Sequence, residues 1–381
     1  MIEPCGCPTM EHTATPCYAL FFGARANYSR MRGIVAALEN QKQHALPIYV
    51  DTNQHVDPQL IGDGFGPAIN SVKVDLGPQH NGLDGIIESS FDYLSAHRSC
   101  IAAVVVYGDT HSARGPAEAA HQLGIPIIHV EAGFRTYGAT GIRKPSTMPE
   151  EVNRIRIDQL ASYLLPFTPA AYHQLQSEAV TGTIALPTGH PLADTILLHR
   201  QQFDGTTPSI QHGLVTIHRQ ENLQHGQESG LIRILTALGS TPIDWQLPAT
   251  PHTLAVLNQT QFCPAPNIHV TRPLQHAEML QTLADSSVVV TDSAGLSLEA
   301  ALAGRPLLIP RDIVEFAELC PMLTNIESIA EAACQALKAE AGPTPSTITL
   351  RHQYSTGNAC RTIAASIAQT VKRLHMVPDM A

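Results

Sequence analysis

The sequence predicts an α/β protein of two Rossmann-like domains, each a parallel sheet with helices between its strands, facing one another across a central cleft. Three observations predict it. Short β-branched and aliphatic runs (IAAVVV at 101–106, IPIIHV at 125–130, GLVTIH at 213–218, SSVVVT at 286–291) alternate with segments of helical periodicity. Two such series are separated by a Gly-, Thr-, Pro- and Ser-containing stretch at 201–211, read as a linker. At 381 residues the chain is long for one doubly wound domain and comfortable for two.

Composition narrows the partners. Acidic residues outnumber basic ones 33 to 23, and a net charge of −10 argues against a nucleic-acid or membrane-surface partner. No apolar run approaches the roughly 20 residues that span a bilayer. The first seventeen residues carry two glutamates, no lysine or arginine and no apolar core, so they do not read as a signal peptide. A cytoplasmic protein is expected. Of the eight cysteines, the last five, Cys100, Cys263, Cys320, Cys334 and Cys360, lie scattered in ordinary segments and fit a reducing compartment. Cys5, Cys7, His12 and Cys17 match no standard zinc spacing, and residues 1–17 read as a tail.

The first domain is assigned to residues 18–200. Tyr18 to Phe22 is a strand running into GARAN at 23–27, with Asn27 as N-cap of a helix from Tyr28 to Glu39. A strand, a Gly-containing loop and a helix form the usual approach to a phosphate, but with one glycine Arg25 alone reads as a surface arginine. Leu46 to Val50 is a strand, residues 51–81 read as long loops, and Leu83 to His97 is helical. The run from Ile101 stops at Tyr107-Gly108-Asp109-Thr110, and a helix from Ala113 to Leu123 is closed by Gly124. The next run stops at Glu131-Ala132-Gly133, and a loop leads to a helix opening at Met148-Pro149-Glu150-Glu151. Tyr163 to Phe167 and Pro169 to Glu178 follow as strand and helix, before the punctuation Thr188-Gly189-His190-Pro191.

Ligands of parallel sheets bind beyond the strands' carboxyl ends. Asp109 and Glu131 occupy two such ends, and Glu150 opens the following helix. Three carboxylates aimed at one crevice make either a metal site or an acid/base site. The metal reading is the weaker, because only His129 shares their spacing and the loop can turn Glu131 away from it.

The second domain is assigned to residues 212–357, and a helix from Asn358 to Leu374, within a 358–378 segment, is expected to cross back to the first. Ser293-Ala294-Gly295 follows a buried-looking strand and opens a helix, so backbone N–H groups and the helix dipole could hold a diphosphate. Glu299, in that helix's first turns, could accept hydrogen bonds from a ribose. His218 and Arg219, together at a strand end, could contact phosphate oxygens.

YGDT, HVEAGFRT, MPEEVNRIRID, TIHRQEN, TDSAGLSLEA and RDIVE together resemble, in order and spacing, the UDP-N-acetylglucosamine 2-epimerase family. The resemblance runs from about Phe22 to the last helix. It implies the GT-B architecture with a nucleotide sugar in the cleft. It also implies Asp109, Glu131 and Glu150 as acid/base carboxylates, with His218 beside the diphosphate as a fourth catalytic residue. Arg25, Ser293, Gly295 and Glu299 match UDP-binding positions, and Arg135, Arg154, Arg219 and Ala294, from the same motifs, complete the expected UDP-sugar-binding set. A homodimer is expected. The sequence departs from the family at GARAN, at Ala294, at Leu298 in place of a first glutamate, and at TNQHVD, where only Gln54-His55 remain of a Gly-Gln-His motif.

The implied reaction removes the C2 proton while UDP leaves C1, and UDP then adds back after protonation of the opposite face. One carboxylate must start ionised and another protonated. Neither a metal nor another cofactor is expected. Two alternatives share the fold. A hydrolysing relative would release free N-acetylmannosamine, and a glycosyltransferase would replace the three carboxylates with an acceptor site. GARAN leans towards the hydrolysing group, whereas HVEAGFRT and MPEEVNRIRID lie around the reacting carbons and favour a non-hydrolysing enzyme.

Overall fold

The structure, a computed structural model, describes residues 17–23, 25–51, 72–75, 82–144, 147–204, 211–338 and 343–375. Cys5, Cys7, His12, Gln54, His55 and residues 205–210 of the expected linker lie outside them, as does most of the 51–81 stretch. The chain divides into two compact units. One takes in Met1–Arg135, Ser146–Pro191 and Ser355–Ala381, the other Thr136–Pro145 and Leu192–Tyr354.

In the first unit the strands are β1 (Cys17–Phe22), β2 (Ala45–Asp51), β3 (Val72–Asp75), β4 (Ile101–Tyr107), β5 (Ile127–Val130), β7 (Tyr163–Leu165) and β8 (Thr183–Ile184), with β6 (Tyr137–Gly138) intervening in the chain. They form one sheet in the order β3-β2-β1-β4-β5-β7-β8, and every pairing is parallel. The order reverses between β1 and β4, the switch point at which doubly wound sheets open a crevice. Parallel strands covered on both faces need apolar residues on both, and Val104, Val105 and Val106 are all buried. Ala19, Phe21, Ile48, Val50, Val104 and Val106 share one core with Ile86 and Ala117 of the covering helices.

The second unit holds β9 (His212–Thr216), β10 (Asp244–Pro248), β11 (Ile268–Thr271), β12 (Val288–Thr291) and β13 (Leu307–Leu308) in the parallel order β11-β10-β9-β12-β13. Its core gathers Val215, Leu231, Leu235, Trp245, Leu247, Val288 and Val290. β14 (Ile313–Val314) pairs antiparallel with β6 in a two-stranded ribbon. Helix starts carry the expected oxygens: Thr168, Ser229, Thr250 and Ser293 each accept a backbone N–H three residues on.

Several elements differ from expectation. The first helix begins at Arg25, so Asn27 lies inside its opening turn; Arg25 and Ala26 are good helix formers and let it start early. β3 emerges where only loops were expected, because Val72 and Val74 gain partners in Ile48 and Val50 that a four-residue run cannot announce. The β6–β14 ribbon is too short to show periodicity. The helices Ile329–Ala336 and Pro345–Tyr354 were not assigned from sequence. The closing helix, Ala359–His375, packs against the first: Gln41 donates to the Arg361 carbonyl at 3.3 Å, and a Cβ on Gly33 would meet Cys360 Sγ at 2.7 Å.

One glycine is held by close approach. Gly213 pairs with Trp245 across β9 and β10, and a Cβ there would lie 2.3 Å from the indole. Trp245 is fully buried and donates from Nε1 to Thr241 Oγ1 at 3.0 Å, so the ring cannot withdraw. Gly213→Ala should therefore destabilise the second unit by about 1–3 kcal/mol. Urea unfolding followed by the emission of Trp245, the chain's only tryptophan, measures it directly.

Candidate active site

In the first unit, β4 and β5 pair Tyr107 with Val130, so the residues that follow them emerge side by side. Gly108 turns the chain at φ 72°, and its N–H donates to Val130 O at 3.0 Å. Asp109 follows. Glu131 itself sits at φ 76°, in the left-handed region that a non-glycine residue enters only when its surroundings impose it.

A buried brace imposes it. His129, fully buried, places Nδ1 2.7 Å from Asp158 Oδ1 and Nε2 2.9 Å from Gly108 O. Asp158 accepts from Gly133 N at 3.2 Å and faces Arg135 Nη2 at 2.8 Å. One imidazole thus ties the turn before Asp109 to the carboxylate that holds the loop after Glu131. Gly133 is at φ 85°, and a Cβ on it would meet Ala171 O at 2.4 Å. Burial raises the Asp158 pKa, but His129 and Arg135 outweigh it and hold the carboxyl below its usual range. Both His129 nitrogens are engaged, which removes it as a metal ligand. Among the described residues no group of three or more His, Cys, Asp or Glu side chains is arranged to hold a metal ion.

Arg135, expected among the UDP-sugar-binding residues, is enclosed by protein partners. It is fully buried, donating from Nε to Glu178 Oε1 at 2.9 Å and from Nη1 to Phe134 O at 2.6 Å, with Nη2 on Asp158 and Glu178. There it ties the loop after Glu131 to Asp158 and Glu178.

The helix Pro149–Leu160 organises the other carboxylates. Arg154 ion-pairs with Asp109 and, at 3.0 Å, with Glu151, and Asn153 Nδ2 donates to Asp109 O at 2.9 Å. Glu150 precedes these two residues by three and four positions, so it shares their helix face, the face turned to Asp109. Glu131 has a separate setting. Arg30 Nη1 lies 4.0 Å from Oε2, and the buried His190 places Nε2 3.8 Å from Oε1. Burial pushes the Glu131 pKa up, but His190, Arg30 and Arg154 outweigh it, and the net direction is down. Arg25 belongs to the first helical turn, and its side chain lies outside the described atoms.

In the second unit a buried aspartate plays the part that Asp158 plays in the first. Asp292, just past β12 and fully buried, accepts from His218 N at 3.1 Å, Arg219 N at 3.0 Å and Asn222 Nδ2 at 3.0 Å. His218 Nδ1 is 3.7 Å from Asp292 Oδ1, and over a third of its side chain is exposed. Desolvation of the ring lowers the His218 pKa, Arg219 and Arg311 add to it, and Asp292 opposes them. His218 is therefore a neutral imidazole near pH 7, and positive charge comes from Arg219 and Arg311 instead. Arg219 Nη2 meets Glu315 Oε1 at 3.0 Å, and Arg311 Nη1 meets Glu315 Oε2 at 2.9 Å.

Ser293 caps the helix Ala294–Leu302, its Oγ accepting from Leu296 N at 3.5 Å, and Ala294 and Gly295 are partly exposed at that N-terminus. Glu299 is buried two turns in, where its Oε1 lies 3.1 Å from His276 Nε2. Sequence reasoning quoted Asp292, Arg311 and His190 inside motifs without giving them roles, and it missed Arg30 and His276.

The comparisons with known proteins decide the family. The model of the UDP-N-acetylglucosamine 2-epimerase family matches residues 36–368. The chain belongs to that family. It is 31% identical over 322 residues to the UDP-2,3-diacetamido-2,3-dideoxy-D-glucuronate 2-epimerase of Pseudomonas aeruginosa, covering 80% of this chain and 86% of that one. It is 27% identical over 288 residues to the UDP-N-acetylglucosamine 2-epimerase of Escherichia coli O157:H7, covering 69% and 74%. Among solved structures, the Methanocaldococcus jannaschii UDP-GlcNAc 2-epimerase in complex with UDP-GlcNAc and UDP superposes at TM-score 0.76 with 22% identity, over 92% of this chain and 99% of that one. The Phytolacca americana UGT2 complexed with UDP-2fluoro-glucose and pterostilbene reaches 0.55 at 12% identity, over 94% and 100%. These two likenesses show the fold, that of the GT-B proteins. The 2-epimerases are isomerases, and their fold here sets carboxylates at the strand ends of one sheet and a capped helix start in the other.

The brace can be tested by its removal. Asp158→Ala leaves the buried Arg135 without one of its carboxylates, and the unfolding free energy should fall by about 3–5 kcal/mol. The Asp158 pKa is depressed, so its stabilisation is complete above the unfolded value of about 3.9 and is lost as pH falls through the lower folded value. Urea midpoints across that acid window should drop more steeply for the natural protein than for the variant.

Proposed function

We propose that the chain interconverts UDP-N-acetylglucosamine and UDP-N-acetylmannosamine, or a modified UDP-hexosamine pair, by eliminating UDP across C1 and C2 and adding it back. One observation carries this reading: Asp109 and Glu131 end adjacent parallel strands, and the helix that grips Asp109 presents Glu150 on the same face. A glycosyltransferase of the same fold has no use for that set.

The proton at C2 is only weakly acidic, so its removal must be concerted with loss of the diphosphate. A carboxylate takes the proton, the C–H electron pair becomes the C1–C2 double bond, and the C1–O pair leaves with UDP. Re-addition needs a proton delivered to C2 on the opposite face by a second carboxyl group. The three settings differ, with Glu131 between Arg30 and His190, Asp109 on Arg154 and Glu150 at a helix start, and such differences let neighbouring carboxyls hold opposite protonation states. The leaving diphosphate is read as held by Arg219, Arg311, the neutral His218 and the N–H groups at Ser293 to Gly295, with Glu299 on the ribose. In this reading the first unit carries the acid/base groups and the second binds UDP.

The Pseudomonas aeruginosa relative supports a second substrate, a uronate bearing two acetamido groups. It is 31% identical over 86% of its own length, so the modified sugar stands as an equal candidate. Offering both UDP-sugars in parallel separates them by relative kcat/KM. A homodimer is the assembly expected, and the cytoplasm is the setting that composition suggests. Among the described residues no helix is long and apolar enough to cross a membrane, and light scattering gives the mass in solution.

Proton NMR in D2O is the direct test. Recovered UDP-sugar should carry deuterium at C2, and full retention of protium in sugar that has turned over removes the mechanism. Phosphorus NMR at completion should show mostly UDP-sugar with little free UDP, and the reverse would make this a hydrolysing enzyme. Asp109→Asn and Glu150→Gln should each lower turnover on the order of 100-fold or more while UDP still binds. Near-normal turnover in either removes that residue from the acid/base set.

A further inference from the structure

His190 is a buried titratable group to which the proposed mechanism gives no chemical step. It sits in the turn between β8 and the helix Pro191–Leu198. Gly189 N donates to Phe167 O at 3.1 Å, Thr188 N to Pro166 O at 3.0 Å, and Thr356 Oγ1 to Thr188 O at 3.1 Å. The imidazole stands edge-on to the Phe167 ring, 4.8 Å between centroids, and Phe167 packs in turn on Tyr107 and Phe134. Backbone and ring are thus both fixed, and the ring is wholly shielded from water. From there Nε2 faces one oxygen of Glu131 at 3.8 Å, while Arg30 faces the other at 4.0 Å.

Two cationic or potentially cationic groups, one near each oxygen of a single carboxylate, favour one rotation of it as well as its charged form. Among the described residues, the charged and titratable groups acting on Glu131 or on its neighbour Tyr107 are Arg30 from the first helix, Arg154 from the helix Pro149–Leu160, His190, the buried Tyr107 itself from β4, and Cys360 from the closing helix. The Tyr107 hydroxyl is driven well up, first by burial and then by Glu131, so it stays neutral. The Arg30 guanidinium lies 5.8 Å over the Tyr107 ring, which keeps that cation in place on its side of the carboxylate.

We propose that His190 is a positioning residue for Glu131, orienting its carboxylate against Arg30 and keeping it anionic, so that Glu131 enters the cycle as a proton acceptor and not as a donor. The proposal rests on the epimerase reading for its catalytic meaning, but the pairing is a property of the folded chain and can be measured without turnover.

The test is carbon NMR of protein carrying carboxyl-labelled glutamate, with the Glu131 resonance identified by its loss in Glu131→Gln. Glu131 should titrate below the ordinary glutamate range in the natural protein and about one pH unit higher in His190→Asn. The acid limb of kcat against pH should move up by the same amount, because a group that must be ionised is then protonated earlier. KM and the affinity for UDP should stay within about two-fold. A Glu131 titration that does not move in His190→Asn overturns the proposal, as does a uniform loss of kcat with no movement of the acid limb. Should His190→Asn fail to fold, His190→Leu, which also removes the donor at Nε2, is read the same way. Absence of turnover in the natural protein would count against the epimerase reading alone, since the carbon titration still decides the His190 pairing.

Discussion

Two buried aspartates hold the loops on which everything functional depends. Asp158 in the first unit and Asp292 in the second are each almost wholly inaccessible, and each accepts the backbone N–H of a loop leaving a neighbouring parallel strand. A carboxylate so buried is strongly unfavourable unless every lone pair finds a donor. Gly133 N, His129 and Arg135 answer Asp158; His218 N, Arg219 N and Asn222 answer Asp292. The loop geometry is therefore held by one buried carboxylate in each unit. A parallel sheet brings its strand ends to one side but does not shape the loops beyond them, and these two groups do that shaping.

The same logic explains why Glu131 tolerates a left-handed backbone. The strain of that conformation is of order 1–3 kcal/mol. It is offset by a brace that joins the Gly108 turn, the Gly133 turn and the helix Pro149–Leu160 through His129 and Asp158. Because the brace reaches both strand ends, the spacing of Asp109 and Glu131 becomes one rigid quantity and not two independent loop conformations. Pre-organisation of that kind is what acid/base chemistry at a single carbon requires.

Strand ends and helix starts were legible because they follow from local pattern: aliphatic runs, the glycines after them, and Ser293 before a helix. The positions of Asp109, Glu131, Glu150 and Ser293 along the chain came directly from these signals. Side-chain direction was not legible. Arg135 stands in a motif beside Glu131 and looks like a ligand contact, yet Glu178, from a helix far along the chain, captures it. His190 looked like punctuation because its partner Glu131 lies on another strand. His276 was missed for the same reason, since nothing in its own segment points to Glu299. β3 escaped because its evidence is the pairing with β2, not its own four residues. In each case the deciding partner is remote in sequence, and a long side chain can turn either way until that partner is placed.

On the proposed reading, the charge arrangement in the second unit bears on how a leaving diphosphate is held. Arg219 and Arg311 share Glu315, Arg311 also meets Glu221 at 3.4 Å, and Asp292 adds another negative charge beneath His218. Two guanidiniums among three carboxylates leave no excess of positive charge, and His218 is neutral near pH 7. Net attraction is therefore not the device. What these groups offer is direction: guanidinium forks already oriented by Glu315, an imidazole whose backbone is tied to Asp292, and the N–H groups of a capped helix. Such donors need little reorganisation when charge builds on the departing oxygen, and that is where fixed dipoles contribute most. On that reading, a site that holds the diphosphate by orientation binds it without a large surplus of charge, so the same groups would release it from C1 and return it.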